Sequence, residues 1–420
     1  MRNWRRNKHI LVDEAEHNIG IGVIRSLGRA GYRVTACSSD PGALGLSSRF
    51  ASRTEVCPSP FQRQAFLRWL DATIEAQRID TIIATEGLLT AIEPRYSSYE
   101  HLLPYGADKD VLYGAVSKYR MVRRFLDPKT PAELRRHIPP SLLVDSAGRL
   151  PTAAELDALP MPIYAKADFL NSPVGAQSQV CRLDDRAHAN DVLADLRTRF
   201  SRLLVQGHVE GVGVGVFFVV RSGRVLDRFM HRRLHEFPHT GGVSSYRQSW
   251  WHDAIHADAR QRIRYLNWQG PIMLEYRWDP RTDAFHLIEL NCRFWGSLHL
   301  ALYAGVDFPR ILVDAMHGHV EPRQHAFPVG VRCRDTFPTE AHHVGSRLRD
   351  TSIPTRSKVW SVVRFVGLTL NPRVHADLLY PGDRRLYWKA LGRYARAVLG
   401  SLCSRLRQRR ATGERVWVEG

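Results

Sequence analysis

Glu275, Glu289, Asn291 and Arg293 are the residues of this 420-residue chain whose types and spacing point most directly to chemistry. Glu289 and Asn291 are two apart, so on a strand both side chains leave the same face. Segments 272–276 and 285–291 alternate apolar and polar residues, and Asp279, Pro280, Arg281, Thr282 and Asp283 between them are turn formers. That pattern predicts a hairpin. Pairing across its turn brings Glu275 towards Glu289 and Asn291. Two carboxylates and an amide oxygen on one face suit a hard cation such as Mg²⁺. Arg293 leaves the strand nearby, and a cluster of carboxylates, metal and guanidinium is what a polyphosphate or an acyl phosphate requires. Acidic residues that are merely solvated on a hairpin face give the same local pattern, so the reading depends on the rest of the chain.

Only seven of the sixty basic residues are lysines. Against that arginine background an internal lysine is a specific choice, and Lys118 and Lys166 are the two that matter. Lys118 opens a short basic helix predicted over 118–126. Lys166 sits inside an apolar strand, 163–167. The loop 171–178 that follows contains Gly175 among small, turn-forming residues. Such a loop offers backbone N–H groups to phosphates, and it equally makes an ordinary hairpin turn. Glu86 stands at the carboxyl end of the 81–84 strand, where open α/β sheets hold their ligands, which makes it a substrate-contact candidate.

The elements that must position these residues follow a readable order. Residues 9–115 alternate strand and helix, which predicts a doubly wound parallel α/β domain. The segment NIGIG at 18–22 follows the first strand, but Arg25 stands where a dinucleotide fingerprint needs its third glycine. It reads as a tight turn. Strands are expected at 141–144, 163–167 and 202–209, with an amphipathic helix over 184–200. A hairpin about Ser222-Gly223 follows, then the segment His231-Arg232-Arg233-Leu234-His235-Glu236 and a loop at Thr240-Gly241-Gly242. Helices are expected at 254–266, 297–304 and 309–316.

The composition is that of a globular chain, with 44% apolar and 10% aromatic residues. No apolar run is long enough to span a bilayer. The basic N-terminus is followed by too short an apolar run for a signal peptide, and six scattered cysteines without a CxxC pair fit a reducing compartment. A cytoplasmic protein is therefore expected. The formal charge is +18. From residue 341 onward sixteen Lys and Arg stand against five Asp and Glu, so eleven of those charges lie in the last eighty residues.

These pieces together resemble the ATP-grasp superfamily over roughly residues 9–320, in its biotin-carboxylase-like branch of ATP-dependent carboligases. The most specific match is Glu289-Leu290-Asn291-Cys292-Arg293-Phe294-Trp295-Gly296-Ser297, which is similar to that branch's E-x-N-P-R-F-W-G-S. The resemblance implies an N-terminal α/β domain (1–115), an α+β ATP-grasp fold of two lobes (116–320) and a basic helical C-terminal extension (321–420). It implies that Lys118, Lys166 and Gly175 contact ATP phosphates and that Val205, Gln206 and His208 line the adenine pocket. Glu275, Glu289 and Asn291 would hold Mg²⁺, with Mn²⁺ as the alternative ion. Arg293 would be the catalytic residue, facing the γ-phosphate and an acceptor carboxylate. The activity implied is a carboxylate–amine or related ligase that phosphorylates a small-molecule carboxylate for attack by a nucleophile, and a homodimer is compatible with it. Cys292 replaces the usual proline, Gly207 a glutamate, and Glu236 stands where biotin carboxylases place a lysine. The last departure, with the lack of a biotin-accepting segment, argues against biotin carboxylation.

The tail has two readings. Tyr387, Leu391, Tyr394, Val398, Leu402 and Leu406 keep helical spacing among arginines. Such a helix either packs its stripe on the body, which we favour because Trp388 and Leu399 broaden the stripe, or makes peripheral contact with an anionic membrane. Residues 360–370 are apolar but short. No nucleic-acid motif accompanies the arginines, so nucleic acid is disfavoured as a partner. The alternative to a ligase is a weakly catalytic nucleotide-binding protein docked through this tail on a membrane or another polyanion.

Overall fold

A computed structural model of the chain describes residues 3–106, 108–145, 148–168, 180–319 and 326–411. Its first sheet is built of β1 (His9–Val12), β2 (Arg33–Ser38), β3 (Arg53–Val56) and β4 (Thr81–Ile83), all parallel, in the order β3-β2-β1-β4. The helices Asn18–Ala30 and Arg63–Gln77 make the crossovers. β1 is buried along its whole length, as a strand covered on both faces must be. The helix begins at Asn18, so NIGIG is the helix's first turn and not the tight turn expected.

A second sheet is antiparallel: β5 (Ser141–Asp145), β6 (Ile163–Ala167), β7 (Val180–Leu183) and β8 (Arg202–Gln206), in the order β5-β8-β6-β7. With the helix Ala189–Arg199 it closes a core of its own around Ile163, Leu193, Leu203 and Val205. The third sheet has seven strands. β9 (Val212–Arg221), β10 (Arg224–Phe237), β11 (Val243–Ser249), β12 (Gly270–Trp278), β13 (Phe285–Asn291), β14 (Arg332–Arg334) and β15 (Val374–Ala376) lie in the order β13-β12-β9-β10-β11-β14-β15. β9 separates two cores by its alternation. Val214, Val216 and Phe218 join one that includes Leu11 and Ile82, and Phe217 and Val219 join another that includes Ile10, Val12 and Trp295. Both cores thus run from the first sheet into the third. They set the carboxyl end of β4 beside the end of β13.

The C-terminal segment is part of this body. β14 and β15 extend the large sheet, and Leu386, Tyr387 and Ala390 of the helix Arg385–Ala411 pack with Ile21. The first half of that helix therefore packs on the body, but Trp388 and Leu399, expected to broaden the packed stripe, are exposed, because Leu386, Tyr387 and Ala390 are the residues turned inward. Arg25 lies fully buried in the helix Asn18–Ala30 and reaches into the extension. Its Nε donates to Asp383 at 3.2 Å, and its two terminal nitrogens donate to the carbonyls of Asp377 and Leu378 at 2.8 and 2.9 Å. Asp377 in turn accepts from the buried Arg247 of β11. The residue that spoils the dinucleotide fingerprint is the anchor of the C-terminal segment.

Removing one partner of a buried pair leaves the other charge uncompensated. Asp383→Ala is expected to lower stability by about 3–5 kcal/mol, read as an earlier urea midpoint, whereas Glu75→Ala, exposed on the helix Arg63–Gln77, should change it by less than about 0.5 kcal/mol.

Candidate active site

The pairing of β12 with β13 sets Glu275 directly opposite Glu289, and Met273 opposite Asn291. The expected hairpin therefore forms with all three oxygen donors on one face. Two carboxylates facing each other across a ladder repel, and burial raises the cost. Cations from other elements offset it. Lys118 Nζ lies 3.0 Å from Glu289 Oε2, and Arg233 of β10 pairs with Glu275. Asn291 Nδ2 donates to Glu289 Oε1 at 3.0 Å.

Each cation arrives for a local reason. Ser117 caps the helix Lys118–Leu126, accepting from Arg120 N at 3.1 Å while donating to the buried Asp168. This fixes Lys118 at the first turn. Lys166 points inward from β6 and donates to Gln206 Oε1 of β8 at 2.7 Å, and Gln206 Nε2 donates to Ser141 Oγ at 3.1 Å. Arg233 and Arg277 both hold Glu236, at 2.9 and 3.2 Å. Room for these groups comes from β9. A Cβ on Gly213 would stand 2.6 Å from Arg233 Cδ, and one on Gly215 would stand 2.6 Å from His231 Nε2. The alternate glycines of β9 are the clearance beneath the polar side chains of β10.

The charges respond to these surroundings. Burial pushes the Glu289 carboxyl up, but Lys118 and Lys166 outweigh it and hold it down at about 2. Burial raises Glu275 despite Arg233, with Glu289 adding to the rise. Lys118 is raised, first by Glu289. Lys166, desolvated and then opposed by Lys118, is pushed down to about 8. His231 is kept neutral by burial and by Arg233 and Arg247, and both its ring nitrogens are buried without a hydrogen-bond partner.

Two cavities meet at the carboxylate pair. The larger, about 1110 Å³, is lined by Lys166, Gln206, His208 and the Gly211–Gly213 stretch, among others. The smaller, about 600 Å³, is lined by Arg293, Asn291, Glu86, Glu14, His231 and Arg247, among others. Glu275, Glu289, Arg233 and Val243 line both. Arg293 leaves the end of β13 into the smaller cavity, 3.6 Å from Glu86 Oε2. Glu86 begins the helix that follows β4, so the two cores that join the sheets also bring this pair together. Of the adenine-pocket candidates, Gln206 and His208 line the larger cavity, while the Val205 side chain is buried in the core of the second sheet. Gly175 and the rest of the 171–178 loop lie outside the described residues.

Glu275, Glu289 and Asn291 bring two carboxylates and an amide to one face, the donor types that suit Mg²⁺ or Mn²⁺. Among the described residues no group of three or more His, Cys, Asp or Glu could by itself hold a metal ion. Arg233, Glu236, Arg277 and His231 were not singled out as site residues from the sequence. The signal was present in outline: 231, 233 and 235 alternate, as do the glycines at 213 and 215.

A family model described as "ATP-grasp in the biosynthetic pathway with Ter operon" matches residues 199–336. No curated protein sequence matches the chain. Three solved structures illustrate its likeness in fold. Biotin carboxylase from Campylobacter jejuni, a complex with beta-gamma-ATP, superposes with a TM-score of 0.58 at 15% identity, covering 77% of this chain and 74% of that one. L-amino acid ligase from Bacillus licheniformis gives 0.53 at 16% identity, covering 75% and 78%. The biotin carboxylase domain dimer of 2-oxoglutarate carboxylase from Hydrogenobacter thermophilus, solved with MgADP, ADP and bicarbonate, gives 0.54 at 16%, covering 77% and 73%.

The ion pairs make the Glu289 carboxylate a measurable reporter. Lys118→Met is expected to raise it by about one to three units, read from its carboxyl ¹³C shift against pH. A carboxylate held at about 2, against about 4.3 unfolded, contributes stability that is present above the unfolded value. That stability is lost as pH falls through 2, and the variant should lose part of it at neutral pH.

Proposed function

Because the chain has the ATP-grasp fold, we propose that it is an ATP- and Mg²⁺-dependent ligase that activates a small-molecule carboxylate as an acyl phosphate for attack by an amine or related nucleophile. One observation carries this reading: the larger and smaller cavities meet at Glu275 and Glu289, with cations on both sides. That is the arrangement a phosphoryl transfer between two bound molecules needs.

ATP occupies the larger cavity, its adenine near Gln206 and His208 and its phosphates towards Lys118 and Lys166. Glu275, Glu289 and Asn291 would hold Mg²⁺, which when bound neutralises phosphate charge. The acceptor lies in the smaller cavity with its carboxylate on Arg293. A carboxylate does not react with an amine at neutral pH because its leaving group would be oxide. Transfer of the terminal phosphoryl group to a carboxylate oxygen breaks the bond to the bridging oxygen of ATP, releases ADP and supplies phosphate as the leaving group. The nucleophile then adds to the carbonyl carbon, phosphate departs and the nucleophile gives up its proton. The chain's part is alignment and charge. Burial of the reacting centre also protects the acyl phosphate from water. The smaller cavity carries carboxylates (Glu14, Glu86, Asp335) as well as arginines, which suits reactants bearing both acidic and basic groups.

Glu289→Gln is expected to lower ATP turnover by at least about 10²-fold while leaving the melting temperature within a few degrees of the parent. ADP release over a panel of acid–amine pairs is the measurement, and full activity in the variant would remove Glu289 from the role. A second expectation concerns pH. Lys166 is pushed down to about 8, so the free protein loses that charge as pH rises through 8. Nucleotide affinity should then fall by up to about tenfold per pH unit until the lysine of the complex also deprotonates. Lys166→Met should bind more weakly and show no such decline in calorimetric titration.

A further inference from the structure

The helix Thr355–Leu370 is turned inside out. No residue of it is buried. Its inner side carries Ser357, Ser361, Phe365 and Leu368. Ser361 Oγ accepts from Arg347 Nε at 2.9 Å, and the Phe365 carbonyl accepts from Arg334 at 3.1 Å, with that guanidinium over the Phe365 ring. Its outer side carries Val359, Val363, Val366 and Leu370, at three- and four-residue spacing that makes one continuous stripe. These are 58, 52, 50 and 77% exposed, with Val362 and Trp360 alongside at 41 and 63%. A helix on a globular body ordinarily points such a stripe inward.

We propose that this outer stripe seats the protein on an anionic phospholipid bilayer. The charge around it chooses the occupant. From residue 351 to 376 there is no Asp or Glu, while Arg356, Lys358, Arg364 and Arg373 are all cationic. On the helix Arg356 extends the stripe at its N-terminal end, and Lys358 and Arg364 stand on its two flanks. Long cationic side chains flanking an apolar stripe can reach headgroup phosphates while the stripe enters the acyl boundary. A second copy of the same stripe fits less well, because each copy would bring cations and no acid on the segment to answer them. No helix among the described residues is long and apolar enough to cross a membrane, so the helix lies on the surface. Its other side borders the larger cavity through Ser357, Ser361 and Phe365, and Trp360 and Arg364 at the edge of the outer side line that cavity too. The docking surface is independent of the ligase reading.

The test uses the full chain and sedimentation with vesicles of phosphatidylcholine alone or mixed with phosphatidylglycerol. The protein should bind the anionic vesicles only, and less as salt rises. Val363→Glu with Val366→Glu should weaken that binding at least about tenfold at unchanged melting temperature, because both side chains point away from the body. Arg356→Glu with Lys358→Glu should do the same through charge alone. Failure to bind anionic vesicles, or equal binding by the Val363→Glu/Val366→Glu variant, would overturn the proposal. So would a dimer in sedimentation velocity that this variant dissolves, since it would assign the stripe to a second copy. ATP turnover, measured in parallel, reports on the ligase reading separately.

Discussion

Two buried carboxylates that face each other across one hairpin are the constraint from which most of this structure can be read. Left alone, Glu275 and Glu289 would repel, and burial would protonate at least one of them. Four cations from four separate elements surround them: Lys118 from a helix, Lys166 from the second sheet, Arg233 from β10 and Arg277 from β12. The fold's main work is to bring these together. The antiparallel sheet supplies one lysine, the Ser117 cap fixes the other, and the bare backbone of Gly213 and Gly215 gives the arginine and histidine of the next strand room to lie over the sheet.

How much of this was legible depends on the range over which each signal acts. The hairpin was legible because alternation, turn residues and the Glu-x-Asn spacing all lie within a few residues, and its register places Glu275 opposite Glu289 as that pattern requires. Lys118 and Lys166 stood out because lysine is scarce in the chain. Arg233 does not stand out by residue type, since arginine is common in the chain, and only its alternation with His231 and His235 marks it. The Val205 assignment is carried over from the resemblance together with its whole strand. Alternation then decides the outcome, since Gln206 faces the cavity and its neighbour must face the core.

The C-terminal segment shows the other limit. Amphipathic spacing says that a helix has an apolar stripe and does not say which way the stripe points. In the helix Arg385–Ala411 the first apolar residues pack against Ile21. In the helix Thr355–Leu370 the stripe faces outward, because Ser361 and Phe365 are the residues held by the body. Nor does local pattern reveal that residues 332–334 and 374–376 complete the large sheet. Those pairings are set by contacts far apart in the chain.

The bond between Arg25 and Asp383 spans 358 residues. A ribosome delivers the first domain long before the last one, so early in synthesis that arginine is held in a helix with no carboxylate to meet it. The opening sheet can form, but this closure waits until Asp383 has emerged. A product lacking Asp377 and Asp383 would therefore leave its oldest helix unfinished as well as its newest segment.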